Sequence, residues 1–114
     1  MKKLLSILLC LCFLSSSVFA GRAGLQTGTP TKITVGNTST LILAASDTRE
    51  YIGLVNDSNE NIYVSFGSAA VMNQGLRLNS NGGSVVFKFP QIPYVAIYGI
   101  CSSGGKNLTV QTGE

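Results

Sequence analysis

The side chains best placed to do chemistry here are carboxylates, and four of the five fall into two close pairs, Asp47 with Glu50 and Asp57 with Glu60. The second pair belongs to a polar knot, DSNEN, inside the stretch REYIGLVNDSNENIYVSFG from Arg49 to Gly67. A calcium loop of the helix-loop-helix kind needs oxygen ligands at alternate positions and a bidentate Glu at the twelfth. Five residues lack that register, so Asp57, Asn59 and Glu60 would give partial coordination at best. Asp and Asn side chains also bond nearby backbone N–H groups and tolerate left-handed conformations, which is what a turn requires. The knot therefore reads as the turn of a β-hairpin, and no metal site is expected.

Other reactive chemistry is sparse. The sequence has no histidine, which removes the commonest general base, the Ser-His-acid triad and most zinc sites. A glycosidase-like carboxylate pair from separate strands would want an aromatic-rich cleft, and tryptophan is absent. No catalytic residue and no cofactor is expected. Asn37, Asn56 and Asn107 each begin an Asn-x-Ser/Thr sequon, which matters only in a glycosylating host.

The first twenty residues read as a secretory signal peptide. Lys2 and Lys3 are followed by an apolar run from Leu4 to Leu14, broken only by Ser6, and then by small residues ending in Val18-Phe19-Ala20. Eleven residues are too few to span a bilayer core, which needs about 20 in a helix. Cleavage is expected between Ala20 and Gly21, with contact to a membrane only during export and a periplasmic or extracellular destination. Two of the three cysteines, Cys10 and Cys12, leave with the signal, so Cys101 has no intramolecular partner. It is either a small buried hydrophobe or a reactive free thiol. The remaining chain has six basic and five acidic residues without a Lys/Arg cluster, which disfavours nucleic-acid binding.

What must position these residues is a set of short strands. After GRAGLQTGTP, Gly21–Pro30, an unpatterned arm, β-rich runs alternate with turn residues every eight to twelve positions. The runs are Thr31–Val35, Thr40–Ala44, Arg49–Asn56, Ile62–Phe66, Gly75–Leu78, Ser84–Phe89, Tyr94–Cys101 and Asn107–Gln111. NSNGG (79–83) and SSGGK (102–106) read as tight hairpin turns, and FPQIP as a crossover between sheets, since neither proline can donate to a ladder. Residues 31–114 are thus expected to form one all-β domain, an antiparallel β-sandwich of about eight short strands, of jelly-roll or immunoglobulin-like type. Its expected core is Ile33, Val35, Leu41, Leu43, Ile52, Leu54, Ile62, Val64, Phe66, Leu76, Leu78, Val85, Phe87, Val95, Ile97 and Ile100. SAAVMN (68–73) reads as a loop, too short for an isolated helix. Val71 and Met72 are apolar where solvent is expected, which marks them as candidate partner contacts, unless the loop folds back over the sandwich end.

The order Arg-x-Tyr-Ile-x-Leu-x-Asn (Arg49–Asn56), Ile-Tyr-Val-x-Phe-Gly (Ile62–Gly67), Gly-Leu-x-Leu (Gly75–Leu78), Gly-Gly-Ser-x-x-Phe (Gly82–Phe87) and Tyr-x-Ala-Ile-Tyr (Tyr94–Tyr98) resembles small all-β modules of tailed-bacteriophage virions. These serve as head-decoration, head-fibre or tail accessory domains. The resemblance implies a non-enzymatic protein that decorates or stabilises a capsid or tail and binds other virion proteins or itself, often as a homotrimer. A small-molecule ligand is not implied. The signal segment departs from that pattern, because tailed-phage heads assemble in the cytoplasm. Joining particles after lysis, a membrane-involving assembly, or a bacterial periplasmic or surface protein sharing only the architecture would each reconcile the two. In the last case Tyr51, Tyr63, Tyr94 and Tyr98 could offer a sugar-stacking face.

Overall fold

A computed structural model describes residues 28–114. The expected signal segment, the expected cleavage residues Ala20 and Gly21, and the expected arm as far as residue 27 lie outside the described residues. Eight strands follow one another: β1 (Gly28–Val35), β2 (Thr40–Leu43), β3 (Tyr51–Asn56), β4 (Ile62–Phe66), β5 (Leu76–Leu78), β6 (Gly83–Lys88), β7 (Ile97–Ile100) and β8 (Lys106–Gly113). No helix occurs among the described residues, and 68–73 is a loop as expected. The strands form two four-stranded antiparallel sheets, ordered β1-β8-β3-β6 and β2-β7-β4-β5.

The pairing is nested. β1 pairs with β8, β2 with β7, β3 with β6 and β4 with β5, so the first half of the chain zips antiparallel onto the second. The zipped ribbon folds over, and β3–β8 and β4–β7 pairs close the two sheets. Every connection except β4–β5 therefore passes from one sheet to the other. This corrects three turn assignments. DSNEN, NSNGG and SSGGK join strands in different sheets, not hairpin partners. The local chemistry of the two glycine-containing turns was read correctly, since Asn81, Gly82, Gly104 and Gly105 all have positive φ, whereas no residue of DSNEN does. A left-handed residue serves a chain reversal between layers as well as one within a layer. FPQIP crosses between sheets as expected.

The core lies between the sheets and follows strand alternation. Ile52 and Leu54 of β3, Ile62 and Val64 of β4, Ile97 of β7, and Leu108 and Val110 of β8 are buried, with Val85 and Phe87 of β6 packed against them. Phe66 and Phe87 meet edge to face across the sheets at a centroid distance of 5.4 Å. Three expected core residues are not there: Ile100 is buried but faces outward by register, and two others are exposed. Leu41 is 50% exposed and Val95 46% exposed. A register shift between Leu41 and Leu43 makes Ile42 the inward residue of β2. Gly99 leaves space for it, since a Cβ there would stand 2.6 Å from Ile42 Cδ1. Val95 precedes β7, which starts only at Ile97. The arm also ends earlier than expected: Gly28, Thr29 and Pro30 pair with Gly113, Thr112 and Gln111 of β8. A proline is tolerated on an edge strand whose N faces solvent.

Cys101 is the buried alternative of the two expected for it. It is fully buried, its Sγ donates to Val35 O at 3.3 Å, and its N–H donates to Gly36 O at 3.0 Å. A thiol sealed this way reacts only when the structure opens. Labelling of the native protein, read by mass spectrometry on the peptide holding Cys101, is expected to run at least about a hundredfold slower than labelling of the unfolded chain. Equal rates would contradict the burial.

Candidate functional site

The polar knot is built from Asn56 outward. Asn56 ends β3 pointing inward and is fully buried. Its Nδ2 donates to Glu60 O (2.6 Å) and Leu78 O (2.9 Å), and its Oδ1 accepts from Ser58 N–H (3.1 Å) and Ser58 Oγ (2.6 Å). The β5–β6 crossing docks on the same spot: Asn81 N–H donates to Ser58 O and Gly82 N–H to Asn56 O. Ser80 N–H donates to Asn61 Oδ1 at 2.9 Å. From the β7–β8 crossing, Ser103 N–H donates to Glu60 Oε1 at 2.9 Å, while Lys106 Nζ reaches Asn59 Oδ1 at 2.8 Å and Glu60 Oε2 at 3.4 Å. Three sheet crossings are thereby bound at one end of the molecule through side chains of the knot.

No side-chain polar atom buried among the described residues lacks a partner. No group of three or more ligating side chains gathers there either. The side-chain oxygens of Asn59, Glu60 and Asn61 accept from Lys106, Ser103 N–H and Ser80 N–H, while the Asp57 side chain is exposed. The sequon at Asn56 is sealed inside, whereas Asn37 and Asn107 are exposed.

Glu60 carries the electrostatics of this end. Hydrogen bonds from the Ser103 side chain and backbone N–H, then the Lys106 ammonium, hold its carboxyl below the ordinary carboxylate range. A carboxylate whose folded pKa is depressed contributes stability above its unfolded pKa, and that contribution is lost as pH falls through the folded value. Wild type is therefore expected to lose stability on acidification across this window more steeply than Glu60→Gln. Parallel urea midpoints for the two proteins from neutral to acid pH would contradict it.

The opposite end has another character. Arg49, which sequence reasoning placed at the start of a strand, is only 5% exposed. Its guanidinium donates to Ala44 O (2.5 Å) and Pro93 O (2.9 Å), with a longer contact to Val95 O (3.5 Å). Burial pulls its pKa below the ordinary value. Nothing in the sequence distinguishes Arg49 from a surface arginine; its signal lies in two irregular crossings whose carbonyls have no ladder partners. Around it, Asp47, Thr48, Glu50, Phe89, Tyr94 and Glu114 line a depression of about 330 Å³. Phe89 is 63% exposed and Tyr94 stands out beside it, while Val95, exposed on the same β6–β7 crossing, lies next to Gly67. No family model, curated protein or solved structure matches this chain.

The candidate contact residues of the β4–β5 loop divide. Ala70 is buried and its N–H donates to Ser39 Oγ at 2.8 Å, so the loop lies back over the outside of the β2-containing sheet. Ile100 faces outward by register with Tyr63, yet is only 8% exposed. Met72 is half-buried and lines a depression with Tyr63 and the knot, whereas Val71 remains exposed. The four tyrosines do not share a face. Tyr51 lies on the outside of one sheet, Tyr63 and Tyr98 on the outside of the other, and Tyr94 at the arginine end.

Proposed function

We propose that this chain is a non-enzymatic, exported structural module of a phage particle, decorating or stabilising a capsid or tail through surface contacts. The observation that carries this reading is the exposed pair Phe89 and Tyr94, which line one depression on the β6–β7 crossing. Exposed apolar side chains gathered in one place mark contact surfaces, and the polar clusters of the molecule are spent on holding its own loops. The nested strand order supports reading the fold as a jelly roll, an eight-stranded architecture found in viral capsid and lectin domains. That strand order favours the jelly-roll reading over the immunoglobulin-like one, whose sheets are ordered differently. Architecture alone does not fix function, so the apolar end bears the argument. Mass spectrometry of purified particles and of the periplasm from the same cells tests it. The chain, cut after Ala20, is expected in particles at a fixed ratio to the major coat protein. Recovery solely in the free exported fraction would overturn the reading.

The alternative is an exported carbohydrate- or receptor-binding protein of the same architecture. It rests on the depression that combines the Phe89 and Tyr94 rings with carboxylates. Because the tyrosines are split between faces, that depression would have to bind the sugar by itself. A glycan array without hits would remove this reading.

A further inference from the structure

An antiparallel sheet with open edges offers unpaired backbone groups to another strand, and proteins usually blunt such edges. Three of the four edges here are blunted. β1 carries Pro30 and Lys32, β2 is four residues long with a register shift, and β5 is three residues long with Arg77 at its middle. The fourth edge, β6, runs for six residues, Gly83–Lys88, without proline or bulge and with its single charge at its end.

The orientation of the free groups follows from the register. Phe89 N–H donates to Glu50 O at 2.9 Å, and Tyr51 pairs with Lys88. In an antiparallel ladder the bonded pairs alternate, so Phe87 and Val85 bond toward β3, while Ser84, Val86 and Lys88 turn their N–H and C=O groups to the open side. We infer that β6 pairs with β6 of a second copy of this chain about a two-fold axis at Val86, joining two sheets into one of eight strands. In this register Val86 faces itself and Ser84 faces Lys88, giving about six hydrogen bonds between copies and setting no like charges opposite each other.

Side chains agree on both faces. Val85 and Phe87 point to the core but are only partly buried, as no strand among the described residues lies beyond them. The pairing sets Val85 of one copy beside Phe87 of the other and continues the core across the axis. On the outer face Val86 is 50% exposed, and it lines a depression with Tyr51, Lys88 and Phe89 that the second Val86 would enter. A two-fold contact of this kind is self-complementary and closed, so it makes dimers and not filaments. This inference stands independently of the particle reading. An interface of one strand per copy is at the small end of interface sizes, so association depends on concentration.

The test is sedimentation equilibrium of the protein as its host releases it, from micromolar to millimolar. A monomer–dimer equilibrium is expected. V86K and V86E each place like charges on the axis and are expected to weaken dimerisation at least about tenfold, while an equimolar mixture of the two forms a heterodimer. V86P removes an N–H that β3 does not use and is expected to leave the melting temperature nearly unchanged while abolishing the dimer. Without any variant, amide exchange at Ser84, Val86 and Lys88 is expected to slow as wild-type concentration rises. A wild type that stays monomeric, a trimer, or a dimer that survives both V86K and V86P would overturn the inference.

Discussion

Replacing Asn56 with alanine is expected to destabilise the fold by about 3 kcal/mol or more, and to lower the melting temperature by about 15 °C for a domain of this size. The side chain is fully buried and makes four bonds, two as donor to Glu60 O and Leu78 O and two as acceptor from Ser58. Alanine strips a partner from each of these groups, and water cannot reach Leu78 O, which lies inside. Leaving a buried polar group unpaired costs about 1–3 kcal/mol, and more than one group is affected. Asn56→Asp separates donor from acceptor roles. It keeps the bonds from Ser58 but turns a carboxylate toward two carbonyl oxygens, so protonation relieves it. A folded pKa raised above the unfolded one means stability falls as pH rises between the two. Asn56→Asp is thus expected to regain stability on mild acidification, opposite in sign to the Glu60 contribution in wild type. The control is Asp57→Ala, an exposed neighbour, expected within about 0.5 kcal/mol of wild type. Urea or thermal unfolding of the three variants checks the set, and a mild Asn56→Ala would contradict the central role given to this residue.

The legibility of this fold in its sequence was uneven for a physical reason. Strand runs announce themselves through alternation, so all eight appeared at nearly the right places; β4 was read to the residue. Turn chemistry announces itself through Asn and Gly, so the left-handed positions at Asn81, Gly82, Gly104 and Gly105 were foreseeable. Neither signal says which sheet a strand enters after a turn. REYIGLVNDSNENIYVSFG looked like a hairpin because strand-turn-strand is the same string whether the second strand lies beside the first or across the core from it. The hint was Asn56, which falls on the inward parity of β3 with Ile52 and Leu54. A polar side chain on that parity implies loop carbonyls to satisfy in the interior.

The misplaced core residues have a similar origin. TLIL offers apolar side chains on both parities, so alternation gave no choice between Leu41 and Ile42, and the register shift decided for Ile42. Leu108 and Val110 in NLTVQ follow the strand alternation, and the nested pairing places β8 between β1 and β3. At the candidate contact end, Phe89 was visible only as a strand residue, and Tyr94 only as a strand residue and one of four tyrosines that could offer a sugar-stacking face. Their exposure depends on β6 ending at Lys88 and β7 starting at Ile97.

Arg49→Met is expected to cost about 3 kcal/mol, and Arg49→Lys about half of that. Carbonyls in irregular crossings have no ladder partner, and a buried one must find a donor elsewhere. Here Ala44 on the β2–β3 connection and Pro93 and Val95 on the β6–β7 connection all point to one guanidinium, whose planar fork of five N–H donors can serve them together. A parallel bond, Ser46 N–H to Tyr94 O at 2.8 Å, joins the same two segments. Methionine fills similar space but donates nothing; lysine keeps the charge but loses the fork. No carboxylate lies within salt-bridge distance of Arg49 among the described residues, where the ion pair is Lys106–Glu60. Its bonds are to partly buried, uncharged backbone dipoles, so added salt should change the Arg49→Met penalty little, unlike a surface ion pair. The damage should also be local first. Amide exchange at Ser46 and residues 94–96 is expected to rise in Arg49→Met before exchange in the sheets does. That crossing carries Phe89 and Tyr94, so under the proposed particle role loosening it should weaken association more than the loss of global stability accounts for. Exchange rising uniformly across the molecule would instead make Arg49 a general stabiliser with no special hold on the contact end.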